Sequence, residues 1–339
     1  MVIIPEVSVI VPVFNSARTI EASLDTLFGQ TLESIEIIVI NDASNDNTAE
    51  ILDDIAEKQT KLKVIHMPKN RGVHEARATG LRAASAPWIG FLDADDFAEK
   101  TMFATLHEAC KNDDLDIAIC GTNLVTSNRQ FLRPKVLFEK DELITDSCFE
   151  RYCSFELGTG ALWNKLYRRE VIIPAATKSF RWRQDTNEDN LVNLECFLQA
   201  KRVRLIQQTL HSYVIHETSA TQSTDSAKSY CQILRAYAIA LENSQRHGRQ
   251  VLDKITHLYS IQLRFQPYQV SNKENLLKYE KPLCEAIELI ARIHPFGLAI
   301  LTNKHRPAFP INNSIRSRLR RWWHATRCLL LGNESDETR

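Results

Sequence analysis

Along the first third of the chain, continuous β-branched runs alternate with segments whose apolar residues recur every three or four positions. Val7 to Val13 is such a run, long enough for a buried parallel strand and too short for a typical helix. Ile35 to Ile40 predicts a second strand, Val64 to His66 a short third and Trp88 to Leu92 a fourth, and Ile117 to Cys120 completes the set. Between them, Ser16 is placed to cap a helix that carries Ile20, Leu24, Leu27 and Phe28 on one face and stops at Gly29. Thr48 to Lys58 repeats the pattern with Ile51, Leu52 and Ile55 inward, and Gly72 to Ala84 gives a third helix. The alternation predicts an α/β fold, a mostly parallel sheet flanked by helices on both faces. In such sheets ligands bind beyond the carboxyl ends of the strands. Those ends carry Asn15, the Asn41–Asp42 pair and the acids from Asp93 to Asp96.

From about Ser226 the strand signals fade and the chain reads as a helical appendage. Tyr230 to Glu242, Val251 to Phe265 and Leu283 to Ile293 are helical, the last closed by Pro295 and Gly297. Pro307 and Pro310 bracket a linker before a basic helix over residues 314–331. The predicted division is therefore an α/β domain over 1–225, a helical extension over 226–306, and a linker, basic helix and polar tail over 307–339.

Charge adds one feature to this picture. Lys+Arg and Asp+Glu balance at 42 each, but the balance is local. Glu33 to Glu57 is acidic, whereas Lys304 to Arg327 holds seven Lys/Arg and no acid. On a helical wheel Ile315, Leu319, Trp322, Leu329 and Leu330 share one face, flanked by arginines. This predicts an anchor for an anionic membrane surface, the alternative being a helix that packs on the α/β domain with solvated arginines. The eight cysteines are scattered without zinc-type spacing, which fits reduced, mostly buried thiols in the cytosol. Pro5 and Glu6 interrupt the first apolar stretch, so a signal peptide is not expected, and no stretch reaches membrane-spanning length. A cytoplasmic protein, peripheral on the inner face of the membrane, is expected.

The segment from Trp88 to Phe97 concentrates the chemistry. An apolar strand delivers Asp93, Asp95 and Asp96 at the point where it should end. Three acids within four residues repel one another, and oxygen-only ligands suit a hard divalent ion such as Mg²⁺ or Mn²⁺ that shares its shell with phosphates. The plainer reading is a solvated acidic turn capping a helix that begins near Glu99. The first strand–helix connection lacks Gly-x-Gly-x-x-Gly, and no Walker loop occurs, so neither a dinucleotide nor a P-loop site is indicated.

Taken in order, Val-Ser-Val-Ile-Val-Pro-Val-Phe-Asn (7–15), Ile-Asn-Asp-Ala-Ser-Asn-Asp-Asn-Thr (40–48), Asn70-Arg71-Gly72 with Ala76-Arg77, and Phe-Leu-Asp-Ala-Asp-Asp (91–96) resemble the signature of glycosyltransferase family 2. Trp163-Asn164-Lys165, Asn187-Glu188-Asp189 and Tyr213-x-x-His216-x-x-Ser219 resemble its later landmarks. The resemblance covers roughly Val7 to Ser223 and implies a GT-A fold, a nucleotide-sugar donor, UDP-type favoured, a divalent metal and inversion at the anomeric carbon. It implies that Pro12 and Phe14 border the base and that Asp42 accepts a hydrogen bond from it. It places Asp93 near ribose and metal, Asp95 as the direct metal ligand and Asp189 as the catalytic base. Asp42 as a turn cap, Arg77 as either diphosphate contact or solvated helix residue, and Lys165 as either site-lining or surface charge stay open. So does His216, which reads as a core histidine, a third metal ligand or a diphosphate contact, while Trp163 and Trp182 are candidates for an acceptor subsite or for the core.

The chain departs from the family at Ala43, where Gly is common and a positive φ would then have to be avoided. Ala78 and Val214 stand where Asn and Arg are often found. The acceptor expected is a glycan or lipid-linked hydroxyl in surface polysaccharide synthesis, with no role for nucleic acid. The competing classes are a catalytically degenerate sugar- or nucleotide-binding partner in a glycan assembly complex, and a nucleotidyltransferase of similar topology.

Overall fold

A computed structural model describes residues 4–215, 226–265 and 278–297. The chain divides into two compact units, Met1–Gln222 and Ser223–Arg339. In the first, β1 (Val7–Val13), β2 (Ile35–Asn41), β3 (Leu62–His66) and β4 (Trp88–Phe91) pair in parallel in the order β3-β2-β1-β4. Helices α1 (Ile20–Phe28), α2 (Thr48–Ala56) and α3 (Val73–Ala83) make the connections. All of β1 is buried, as expected of β-branched residues covered on both faces, and Val9, Val11, Ile37 and Val39 join Leu24, Leu27 and Leu52 in one core. A Cβ on Gly80 of α3 would lie 2.6 Å from Ile10 Cγ2, so that glycine lets the helix sit close on the sheet. Strand order reverses between β1 and β4, which puts a crevice for ligands at their carboxyl ends.

Beyond β4 the chain forms β5 (Phe97–Ala98), α4 (Met102–Asp113), β6 (Ile117–Val125), β7 (Phe131–Val136), β8 (Glu142–Ile144), α5 (Cys148–Cys153), β9 (Lys165–Arg168), α6 (Arg169–Ala176), α7 (Glu188–Gln199) and β10 (Val203–Val214). The ten-stranded sheet runs β3-β2-β1-β4-β9-β6-β10-β5, with β7 on β6 and β8 on β10. The parallel half agrees with the sequence pattern, but the whole sheet is mixed. β9 enters antiparallel between β4 and β6, and the pairings of β5, β7 and β8 are antiparallel as well. The pairing of β10 with β6 is parallel and shifts twice, between Ile206 and Thr209 and again before His211. Ile206 faces Cys120 and His211 faces Thr122, so five steps on β10 match two on β6.

Two local expectations are corrected. Ser16 does not cap α1 with its side chain: its hydroxyl turns back to donate to Phe14 O at 3.3 Å, while its carbonyl accepts from Thr19 and Ile20. The acids 93–96 do not cap α4, because β5 intervenes and that helix starts only at Met102, after Thr101.

The second unit contains α8 (Ser226–Ser244), α9 (Arg249–Phe265) and α10 (Glu280–Ile293). Its core gathers Leu234, Tyr237, Leu241, Ile255, Tyr259 and Ile290, with a 2.7 Å hydrogen bond between the hydroxyls of Tyr237 and Thr256. No helix among the described residues is long and apolar enough to cross a membrane. The described cysteines are free and all but Cys284 are buried. Burial pushes the Cys120 thiol up to about 12, which leaves it inert. His216 and the segment 314–331 lie outside the described residues.

Candidate functional site

The crevice is bounded by the loops after β1 and β2, which are hydrogen-bonded to each other. Asn15, in the left-handed region at φ 52°, accepts from Asn45 N–H at 2.7 Å and donates its own N–H to Ser44 Oγ at 2.9 Å. Ser16 N–H donates to Thr48 Oγ1 and Ala17 N–H to Asp46 Oδ2. Asn41 Oδ1 accepts from Ser44 N–H at 3.0 Å. Held from both sides, the loop forces Ala43 to φ 55°, so the expected avoidance of a positive φ is overturned. A side chain there costs about 1 kcal/mol, a strain the surrounding hydrogen bonds sustain. Of the two residues expected to border a base, Pro12 is buried and Phe14 is 44% exposed at the end of β1.

Asp42 is buried, and its carboxylate binds the turn that leads into α3. Oδ1 accepts from Arg71 N–H and Oδ2 from Gly72 N–H, both at 2.8 Å. Gly72 adopts φ 89°, which a residue with a side chain would resist. Asp42 thus fixes the turn before α3, and the turn that follows β2 is left to Asn41.

Arg77, on α3, is not a solvated residue. It is buried, donating from Nη1 to Glu188 Oε1 at 2.6 Å and from Nη2 to Asp93 Oδ1 at 2.9 Å. Burial opposes its charge, but Asp93, Glu188 and Asp189 outweigh it and raise its pKa. The guanidinium therefore ties the end of β4 to the start of α7. Arg77→Met should strand two mostly buried carboxylates and lower unfolding free energy by about 3 kcal/mol. Denaturant unfolding checks this, and a change well below 1 kcal/mol would show that the tie carries little.

The three acids after β4 differ in their surroundings. The turn that holds them is pinned by Asp96 N–H donating to Asp93 O and by Ser23 Oγ donating to both of their carbonyls. Asp93 and Asp95 are half-buried at the crevice. Asp96 is buried, accepts from Val214 N–H at 2.9 Å through Oδ1, and holds Oδ2 3.5 Å from His211 Nε2. Burial, reinforced by Asp93 and Asp95, pushes the Asp96 carboxyl well above the usual range. Among the described residues no group of three or more His, Cys, Asp or Glu is arranged to hold a metal on its own. Asp93 and Asp95 do offer partly accessible carboxylate oxygens at one turn. That donor set fits an ion of the Mg²⁺ class, which takes one or two carboxylates and completes its shell with phosphate and water.

Asn187, at φ 67°, turns the chain into α7, and Asp189 follows in its first turn. Asp189 is half-buried there. Burial first, then the charge of Glu188, raises its pKa to about 7, against Arg77 and the Asn190 N–H that it accepts at 2.8 Å. Asn190 and Asn193 hold α7 in place through Tyr152 Oη, Tyr167 Oη and Gly160 O.

Lys165 does not present its charge to the crevice. It is fully buried, and Nζ donates to Thr159 O, Ala161 O and Asn164 Oδ1 at 2.6–3.0 Å. Burial lowers its pKa to about 7, and its bonds organise the turn ahead of β9. Trp163 is likewise interior, stacked on His211 with ring centroids 4.3 Å apart, whereas Trp182 stays partly exposed. Val214 is buried, so no long side chain enters from that position. Two residues at this end of the sheet were not singled out from the sequence, His211 and Lys135. The only signal for Lys135 was a lysine on a short strand containing Pro134, a pattern that ordinarily means a solvated edge.

Residues 8–173 match a family model described as glycosyl transferase family 2. An uncharacterized glycosyltransferase of Haemophilus influenzae is 36% identical over 212 residues, covering 62% of this chain and 79% of that protein. The uncharacterized glycosyltransferase EpsJ of Bacillus subtilis is 35% identical over 224 residues, covering 65% of this chain and 64% of its own length. Among solved structures, Staphylococcus aureus TarS 1-349 in complex with UDP-GlcNAc superposes with a TM-score of 0.66 at 19% identity, covering 86% of this chain and 82% of that one. That likeness establishes the fold.

Proposed function

Because the chain belongs to glycosyl transferase family 2, we propose that it is an inverting, metal-dependent enzyme that moves a sugar from a UDP-type donor to an acceptor hydroxyl of a glycan or lipid-linked glycan. The observation that carries this reading is the juxtaposition of Asp93 with the Glu188–Asp189 segment through Arg77. One side of the tie offers oxygens to a cation and a diphosphate, and the other offers a carboxylate whose pKa of about 7 suits proton transfer near neutral pH. A metal held by Asp93 and Asp95 would neutralise charge on the departing diphosphate. Phe14 sets an exposed aromatic face beside the base, and Asp189 takes the proton of the attacking hydroxyl. Single displacement asks for that one base and no covalent intermediate.

Release of nucleoside diphosphate from a panel of nucleotide sugars, with Mg²⁺ or Mn²⁺ and with chelator, tests the proposal. Metal-dependent release from at least one donor supports it, and inertness toward every donor would leave a sugar- or nucleotide-binding partner as the better reading.

The segment 314–331, outside the described residues, is proposed as the contact with an anionic membrane surface, where a lipid-linked acceptor for surface polysaccharide would be met. Removing residues from 314 onward should release the protein from anionic vesicles at low salt and spare donor hydrolysis. Equal co-sedimentation of both forms would sink the anchor.

A further inference from the structure

Lys135, on β7, brings a cation to the crevice that the acids there do not neutralise. Its Nζ stands 3.4 Å from the centroid of the Tyr213 ring and 5.5 Å from that of Trp163. Those rings lie tilted at 5.8 Å from each other, and Trp163 is stacked in turn on the buried His211. The platform under the ammonium is therefore part of a packed aromatic stack. The preceding residues of β7, Phe131 to Pro134, are exposed, whereas Lys135 is half-buried.

Among the described residues, Lys135 has no hydrogen bond or ion pair besides these ring contacts. Burial lowers its pKa, yet Asp96, Asp189 and Asp93 are near enough for their charges to oppose that shift. A half-buried ammonium without a carboxylate against it is costly, and an aromatic face returns only part of that cost. Two neighbouring cations among the described residues cannot serve an incoming anion so readily. Arg77 spends its terminal nitrogens on Asp93 and Glu188, and Lys165 spends its Nζ on three acceptors. Lys135 keeps its N–H groups for something that arrives.

We propose that Lys135 binds a phosphate oxygen of the donor's diphosphate, held ready by the Tyr213 ring beside the Asp93–Asp95 turn. The assignment rests on the nucleotide-sugar reading above. Its test is calorimetric binding of UDP and of uridine, with Mg²⁺, to the full chain and to Lys135→Met and Lys135→Arg. The expected result is about a tenfold or greater loss of UDP affinity in Lys135→Met, unchanged uridine affinity, and substantial recovery in Lys135→Arg. Thermal unfolding establishes that the variants fold, and Lys135→Gln replaces the methionine variant if that one does not.

UDP affinity within twofold of wild type in Lys135→Met overturns the assignment, as does an equal loss for UDP and uridine. Unchanged UDP affinity with a raised KM for acceptor overturns it in favour of an acceptor phosphate. If the unaltered protein binds neither UDP nor uridine, the donor reading itself fails and the assignment falls with it.

Discussion

Asp189→Asn should lower turnover by about a hundred- to ten-thousandfold while leaving UDP affinity close to that of the unaltered protein. Asparagine keeps the shape of the side chain and cannot take a proton. It also removes an acid that burial and Glu188 have pushed to about 7. As the proposed base must be ionised, the wild-type rate should rise with pH through about 7, and that limb should vanish from the residual activity of the variant. The same shift has a stability consequence of opposite sign. The folded carboxyl binds its proton more tightly than the unfolded one, so its contribution to stability falls as pH rises from the unfolded pKa near 4 to the folded value of about 7. Asp189→Asn should thus raise Tm at pH 8 while it removes turnover. Full turnover in the variant rules Asp189 out as the base, and lost UDP affinity with turnover kept at saturation would make it a binding residue.

Asp95→Ala should abolish transfer and leave the fold intact. Asp95 is half-buried at the crevice, and its charge is one of those that push up the buried Asp96. Removing it would take away an oxygen donor for the proposed metal and also relieve repulsion within the turn, so Tm should hold or rise. Donor hydrolysis measured with Mg²⁺ and with chelator should then be equally low for the variant. Near-wild-type turnover in Asp95→Ala, or indifference of the unaltered enzyme to chelator, would end the assignment of a metal to this turn.

The first four strands and three helices could be read from the sequence because their signals are local. A β-branched run such as Val7–Val13 has one reading at its length, and an apolar stripe closed by Gly29 has another. Past Cys120 the local signals conflict. Gly121 and Asn123 sit inside β6, Pro134 sits inside β7, and β9 is only four residues long. The acids of the crevice were legible for a similar reason, since carboxylates after apolar strands stand out. Their partners were not. The Arg77–Glu188 pair spans 111 positions, and nothing near either residue announces the other. Lys165 looked like a cation for the crevice because sequence shows a charge and hides its desolvation, which here turns the ammonium onto backbone carbonyls. Ala43 misled in the opposite direction: its own preference excludes the conformation that the bonds around it impose.

The double shift in β10 sets the phase of the far end of the sheet. Between Ile206 and His211 this strand runs three residues ahead of β6, an odd number. Directly paired residues share a face of the sheet, so the surplus is taken up as bulges and His211 stays on the same face as its partner Thr122. The residues beyond it, His211 and Tyr213 among them, owe their partners on β6 to that count as much as to their own chemistry. One residue more or fewer between 206 and 211 would slip the residues beyond by one position against β6 and turn the aromatic platform to the other face. The cation above it would lose its support although no acid, base or lysine had been altered. In this strand, length is the information.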